Sequence, residues 1–300
     1  MLSLKQITYA LAVEKTLHFK KAADACAISQ SALSTALNEL EKQLGFQVFE
    51  RDNKKVLVTP LGQQFLDKAR QVKLQVDELH QLSRAQQAPL SYPMTLGVIP
   101  TIGPYLLPRV LPDLRKAYPE FRLTLVEEES ATLVDLVRQG DIDSAIIALP
   151  YAHDGLLAFE FWEEDFYWVS HAEDPAVQQG AIASEAIDPG TLMLLKDGHC
   201  LKDHALAACK LSRSEMSRAF TATSLMTLTQ MVAGKMGSTF VPHMALASLV
   251  DNNEELRAIP LKESGPHRTL AFLTRPNYTG LDSIELLRKQ FRESLFASVV

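Results

Sequence analysis

The sequence predicts an α/β protein in two parts: a winged helix-turn-helix with a linker helix at its amino end, then a two-lobed α/β effector domain. Three observations carry that expectation. Two amphipathic helical runs separated by a very short break lie within the first 45 residues, the layout of a helix-turn-helix. A single helical stripe follows and stops at two closely spaced prolines, Pro89 and Pro93. Beyond them short apolar strand-like runs alternate with helical stretches, as in packed α/β layers.

Composition narrows the classes. Of 300 residues, 47% are hydrophobic and 22% charged, a balance that supports large cores without disulfide staples. No charged leader runs into an apolar stretch with a cleavage site, and no apolar run nears the roughly 18 residues a membrane span needs. The expectation is a cytoplasmic protein with no membrane partner. Three cysteines are an odd count, which argues against a disulfide framework and leaves packing, metal binding or redox chemistry open. Residues 1–86 hold 12 Lys and Arg against 9 Asp and Glu, while the rest holds 18 against 27. The amino-terminal part is therefore expected to meet an anionic partner.

In "FKKAADACAISQSALSTALNELEKQLG", Phe19, Ala22, Ala23 and Cys26 form one apolar face, with Cys26 expected as a core thiol. Ala27, Ile28 and Ser29 interrupt it, and Leu33, Ala36, Leu37, Leu40 and Leu44 form a second face. Ser29 is placed to cap the second helix. That helix turns Gln30, Ser31, Ser34, Thr35 and Asn38 outward, short polar side chains suited to base edges in a major groove. Lys20, Lys21, Arg51, Lys54 and Lys55 surround them as candidate phosphate contacts. "VFERDNKKVLVTPLG" reads as a two-stranded wing with a basic tip, which completes a head over residues 1–62. The plainer alternative is a helical hairpin with a solvated polar face.

From residue 63 to residue 86, Phe65, Ala69, Val72, Val76 and Leu79 recur at alternating spacings of four and three. That seam predicts a dimerisation helix of coiled-coil type, although a surface helix packed on its own domain shows a similar stripe. Residues 87–93 read as a hinge.

In the effector part, "MTLGVIPT", "RLTLVEEE", "SAIIALP", "TLMLLK", "FTATS", "STFVPH" and "RTLAFLTR" read as strands, with helices such as "GPYLLPRVLPDLRKAYP" and "ATLVDLVRQG" between them. Mostly parallel sheets are expected, in one lobe of residues 94–163 with 267–300 and another of residues 164–266. Ligands of such sheets sit beyond the carboxyl ends of strands, against the amino ends of the following helices. Those junctions collect Thr101, Ser130, Thr132, His199, Cys200, Thr223 and Ser224 on one cleft, although any one of the hydroxyls alone reads as a helix cap. Glu127, Glu128 and Glu129 read as a solvated strand end.

"DGHCLKDHALAAC", residues 197–209, holds two of the three cysteines. As a helix, its nine steps from Cys200 to Cys209 separate the α-carbons axially by about 13.5 Å. They also leave the thiols on opposite sides, Cys200 toward the cleft and Cys209 toward the core with Leu201, Ala205 and Ala208. A disulfide needs roughly 4.4–6.8 Å between α-carbons, so the helical and bonded states exclude one another. In the first helical turn, near His199, Lys196 and Lys202, Cys200 is expected to have its thiolate favoured by the helix end and the cations. Two blander readings compete. Cysteines on a short amphipathic helix are commonly inert packing residues. A metal site of His199, Cys200, His204 and Cys209 would require one helix to aim thiols on opposite sides at one ion. Neither a metal nor any other cofactor is expected.

Over essentially the whole chain, the "AA", "SQ" and "LS" of the helix-turn-helix, the wing ending "TPLG", the linker helix and the two lobes resemble the LysR-type transcriptional regulators. Within them, "IPTIGPYLLP" and "DGHCLKDHALAAC", with its histidine-cysteine pair and eight-residue gap, resemble the hydrogen-peroxide-sensing OxyR group. The resemblance implies a periplasmic-binding-protein-like effector fold and a bacterial regulator rather than an enzyme. It implies a homotetramer, a dimer of dimers, that binds double-stranded DNA at a pseudo-palindromic operator in both redox states. Such a protein engages RNA polymerase and activates antioxidant genes when oxidised. The resemblance further implies Cys200 as the peroxidatic thiol and Cys209 as the resolving thiol that traps its sulfenic acid as a disulfide. Thr101, Ser130, His199 and Arg268 are the implied peroxide-binding set, and a thiol reductant such as glutaredoxin or thioredoxin resets the pair. Without the resemblance, Arg268 reads as a surface residue.

The sequence departs from the family at three places. Ser31 stands where the family commonly has proline, Ser130 where threonine is frequent, and Lys235 and Met236 separate the glycines of "AGKMGSTFVP" in place of one small residue. Two rival functions are a regulator of the same architecture that binds a small metabolite in the cleft, with the thiols as spectators, and a thiol peroxidase. The peroxidase has no need of residues 1–86.

Overall fold

A computed structural model describes residues 2–52, 55–82, 88–208 and 221–297. The chain divides into two units, Met1–Gln86 and Gln87–Val300, each with its own buried core.

In the first unit, α1 (Leu4–Thr16), α2 (Phe19–Ala25) and α3 (Gln30–Leu44) close on Ala10, Val13, Phe19, Ala22, Leu33, Leu37 and Leu40. The short break between α2 and α3 works because Ser29 caps α3, accepting from Ala32 N at 3.2 Å. Gly45 ends that helix at φ +76, a left-handed conformation open to glycine without strain. Cys26 corrects its assignment to the core: it is the C-cap of α2 and only half-buried, because the capping turn carries it to the rim. The wing is the antiparallel pair β1 (Phe49–Asp52) and β2 (Lys55–Val58). Lys54 lies outside the described residues, as does the side chain of Arg51.

Helix α4 (Pro60–Leu82) starts three residues before the expected residue 63. Thr59 Oγ1 accepts from Gly62 N at 2.8 Å, and proline suits a first helical position, where its missing N–H is not needed. Leu66 and Ala69 are buried, whereas Val72 and Leu79 on the expected seam are exposed.

The second unit opens with β3 (Met94–Val98), α5 (Gly103–Ala117), β4 (Leu123–Glu127), α6 (Ser130–Gln139) and β5 (Ser144–Leu149). The chain continues through β6 (Leu157–Glu164), β7 (Phe166–His171), β8 (Leu194–Leu195), α7 (Cys200–Ala208), β9 (Thr221–Ala222) and α8 (Leu225–Ala233). It ends with β10 (Thr239–Pro242), α9 (His243–Leu249), β11 (Leu256–Pro260), β12 (Arg268–Thr274) and α10 (Leu281–Ala297). One lobe is built on the sheet β4-β3-β5-β12-β6, the other on β10-β7-β11 and the short pair β8-β9. Leu90 N and Tyr92 Oη both bond Ser283 Oγ, at 3.1 and 2.9 Å, so the stretch read as a hinge is fastened to α10.

The sheets are mixed, which corrects the expectation of mostly parallel pairing. Strand β12 runs antiparallel to β5 and β6, and β7 runs antiparallel to β10 and β11. Parallel ladders join β3 to β4 and β5, and β8 to β9. The chain passes from β6 directly into β7 and returns to the first lobe through β12, and strands entered without a crossover helix are free to pair antiparallel. Strands β6 and β11 escaped the sequence reading because charges interrupt their apolar runs, as in "LAFEFWEE", whereas β7, "FYWVSH", was missed although no charge breaks it.

Candidate functional site

Cys200 opens α7 as a free thiol that is 3% exposed. Around it stand the Ser130 hydroxyl at the start of α6, the Arg268 guanidinium at the start of β12, and backbone groups of Ala148 and of Cys200 itself. Burial pushes the thiol's pKa up, and Ser130, Arg268 and the backbone groups pull it the other way without prevailing. This corrects the expectation of an easily formed thiolate: removal from water penalises the anion more than these groups favour it. The two lysines invoked for that role are engaged elsewhere, Lys196 with Glu129 and Lys202 with Asp197, each at 2.8 Å. Among the described residues, Arg268 is the cation that favours the thiolate.

Arg268 is no surface residue. It is 1% exposed, and its Nε donates to Glu164 Oε1 at 2.7 Å. Its Nη1 and Nη2 donate to Thr101 Oγ1 and to the Thr101 carbonyl, each at 3.3 Å. Glu164 Oε2 accepts from Met244 N at 3.0 Å, so both charges of this buried pair have further partners, which is what makes such burial tolerable. The pair fixes Thr101, itself buried, in the turn between β3 and α5. Ser130 Oγ is buried and has no hydrogen-bond partner of proper geometry among the described residues, although it lies close enough to Cys200 to favour the thiolate.

His199 is buried beside this group. Among the described residues its Nε2 has no hydrogen-bond partner, and it stands 4.0 Å from Glu129 Oε1. Burial lowers its pKa, against Glu129 and with Lys196, so the neutral ring is favoured. His204, one turn along α7, reaches Pro150 O through Nε2 at 2.8 Å.

The structure thus assembles Thr101, Ser130, Cys200 and Arg268, with His199 at their edge. It does not bring in Thr132 or Thr223, which are exposed, or Ser224, which caps α8 by accepting from Thr227 N. Capping accounts for Ser224, whereas Thr132 lies inside the first turn of α6 and Thr223 just ahead of the cap of α8. Cys209 lies outside the described residues. Sequence reasoning missed Glu164 and misread Glu129, which is not merely solvated but paired with Lys196. A carboxylate on an aromatic strand was the available signal for Glu164.

On α3, Gln30, Ser31, Thr35 and Asn38 are exposed and Ser34 is half-buried. Lys20 and Lys21 on α2 and Lys55 on β2 are exposed as well.

Residues 4–63 match the family model of the bacterial regulatory helix-turn-helix protein, lysR family, and residues 87–295 match that of the LysR substrate binding domain. The chain belongs to the LysR family. The HTH-type transcriptional regulator EstR of Acinetobacter baylyi is 36% identical to it over 274 residues, covering 91% of this chain and 90% of that one. The hydrogen peroxide-inducible genes activator of Haemophilus influenzae is 32% identical over 275 residues, covering 92% and 91%. A full-length OxyR variant from Pseudomonas aeruginosa matches in structure with a TM-score of 0.81 at 31% identity, covering 97% of this chain and 95% of that one. This LysR-type protein is a transcriptional regulator that binds DNA through its helix-turn-helix. Among the described residues, no helix is long and apolar enough to cross a membrane.

Proposed function

We propose that this LysR-type regulator senses hydrogen peroxide through Cys200 and, once oxidised, activates antioxidant genes. The observation that carries the reading is one buried cluster of a free thiol, a Ser130 hydroxyl without a hydrogen-bond partner among the described residues and the Arg268–Thr101 pair. Peroxide, small and able to donate and accept at both oxygens, suits such a place. The relative named for peroxide-inducible genes and the OxyR structure support the same reading.

The Cys200 thiolate attacks one peroxide oxygen, the O–O bond breaks, and sulfur becomes sulfenic acid while hydroxide departs and takes a proton from solvent. Thr101, Ser130, His199 and Arg268 hold the peroxide, and the hydrogen-bond donors among them stabilise the leaving hydroxide. Cys209 then attacks the sulfenic sulfur, forming a disulfide and releasing water, which requires α7 to unwind. A thiol reductant, glutaredoxin or thioredoxin, returns both thiols. Gln30, Ser31, Ser34, Thr35 and Asn38 read base edges of a pseudo-palindromic operator, and Arg51, Lys54 and Lys55 with Lys20 and Lys21 meet its phosphates. The α4 seam joins chains toward a dimer of dimers, and RNA polymerase is the partner at the promoter.

The burial that pushes the Cys200 thiol up favours one second reading, a regulator that answers a small metabolite in the cleft with its cysteines as spectators. The deciding experiment adds one equivalent of peroxide to the reduced protein, maps thiols by mass spectrometry and compares DNA footprints. Oxidised Cys200 with an altered footprint, lost in Cys200→Ser, is expected. Unchanged Cys200 with an unaltered footprint rejects the sensor, and an effector-dependent footprint indifferent to Cys200→Ser establishes the metabolite reading. Sustained peroxide turnover with a thiol reductant would instead mark a peroxidase.

A further inference from the structure

We propose that Glu129 is a positioning residue for Cys200, its carboxylate a latch that holds the turn ahead of α7 against the opposite lobe. This deepens the function proposed above and rests on that reading only where peroxide is the reagent.

Glu129 stands immediately before α6, yet its side chain makes no capping bond to that helix. It reaches over residues 196–199 instead. Its Oε1 accepts from Lys196 Nζ at 2.8 Å and faces the unpartnered, buried Nε2 of His199 at 4.0 Å. Its Oε2 lies over Gly198, 2.3 Å from where a β-carbon would stand, and Gly198 adopts φ +104. The backbone angle demands glycine, and a β-carbon there would push the Glu129 carboxylate aside. Lys196 holds the Glu129 carboxyl below the usual carboxylate range, so the latch is charged at neutral pH.

The lever is short. Glu129 engages the turn at Lys196, Gly198 and His199, and the next residue, Ser130, stands against the thiol two positions beyond Gly198. Every contact of the latch belongs to the arrangement in which Cys200 is buried, and none survives if that turn leaves. Burial is the chief cause of the raised thiol pKa. Releasing the latch therefore exposes the sulfur, brings its pKa back toward the ordinary thiol value and speeds its reaction with electrophiles. The size of the effect is bounded by exposure, because the Glu129 and Lys196 side chains are 32% and 47% exposed. Ion pairs in such surroundings correspond to factors of about two to five.

The test uses reduced full-length protein and iodoacetamide, following alkylation of the Cys200 peptide by mass spectrometry across pH, with the Cys26 peptide as internal reference. Glu129→Gln, which keeps the size and removes the charge, is expected to raise the Cys200 rate about two- to fivefold at neutral pH. It should also move the rate profile to lower pH and leave Cys26 unchanged. High salt should accelerate the unmodified protein likewise and leave the variant unaffected, because the ion pair is screened. The reversed pair Glu129→Lys with Lys196→Glu should slow the reaction again. A peroxide titration in parallel should show half-oxidation of Cys200 at lower peroxide in the variant. Equal alkylation rates and profiles, a salt-independent rise, or a reversed pair as fast as Glu129→Gln would each overturn the latch whatever peroxide does. Altered alkylation with no peroxide oxidation in either protein keeps the latch and removes the peroxide reading.

Discussion

Removing the Arg268 guanidinium leaves Glu164 a buried carboxylate with the Met244 N–H beside it. Arg268→Met is therefore expected to cost about 3–5 kcal/mol, read as a lower urea midpoint at unchanged slope. Adding Glu164→Leu should recover most of that loss, since the stranded charge is then gone. His199 and His204 carry a second expectation. Burial lowers both pKa values, so the folded chain keeps these rings neutral while the unfolded chain takes up protons below about pH 6.5. Their contribution is present above that pH and is lost as pH falls through the depressed folded values. Urea unfolding at descending pH checks this, and His204→Gln should flatten the slope. The Cys200 thiol has the opposite sign: its raised pKa contributes stability below the ordinary thiol value, lost as pH climbs through the folded one.

Helix α4 shows what a periodic pattern reports and what it omits. Spacing identified Phe65, Ala69, Val72, Val76 and Leu79 as one stripe, yet Leu66, outside it, is 0% exposed and Leu79, within it, is 65% exposed. Periodicity gives an apolar face; what covers that face is decided by elements distant in sequence. Leu66→Ala should thus destabilise the head by about 2–5 kcal/mol, followed by thermal unfolding. Leu79→Glu should leave that transition in place and weaken self-association, followed by sedimentation. On the wing, Lys55→Ala should weaken binding to all duplexes alike and reduce the salt slope of affinity by about one. Gln30→Ala should instead relax discrimination between sequences. The start of α3 was readable because Ser29 acts locally as its cap. The same local rule found Thr101, Ser130 and Cys200 at strand-to-helix junctions, and it misplaced Ser224, which caps α8, and Thr132 and Thr223, which are exposed. Arg268 needed family resemblance, since its partner Glu164 is 104 residues away. The antiparallel course of β12 was hidden for the same reason: no stretch of sequence states its own neighbour.

Two separate cores place Cys200 and the helix-turn-helix in different units. A fragment of residues 88–300 is expected to fold, to keep the Cys200 alkylation profile and to lose DNA binding, which mass spectrometry and gel shift would show. Within that fragment, helix α7 is tied to the opposite lobe near both ends of a single turn, by Cys200 among Ser130, Arg268 and Ala148, and by His204 on Pro150 O. Four residues apart, these two moorings cannot be cast off one at a time by a segment that uncoils. With α7 uncoiling on oxidation as proposed above, each chain has two settings and no dimmer between them, and a partial response in a population would count chains already switched.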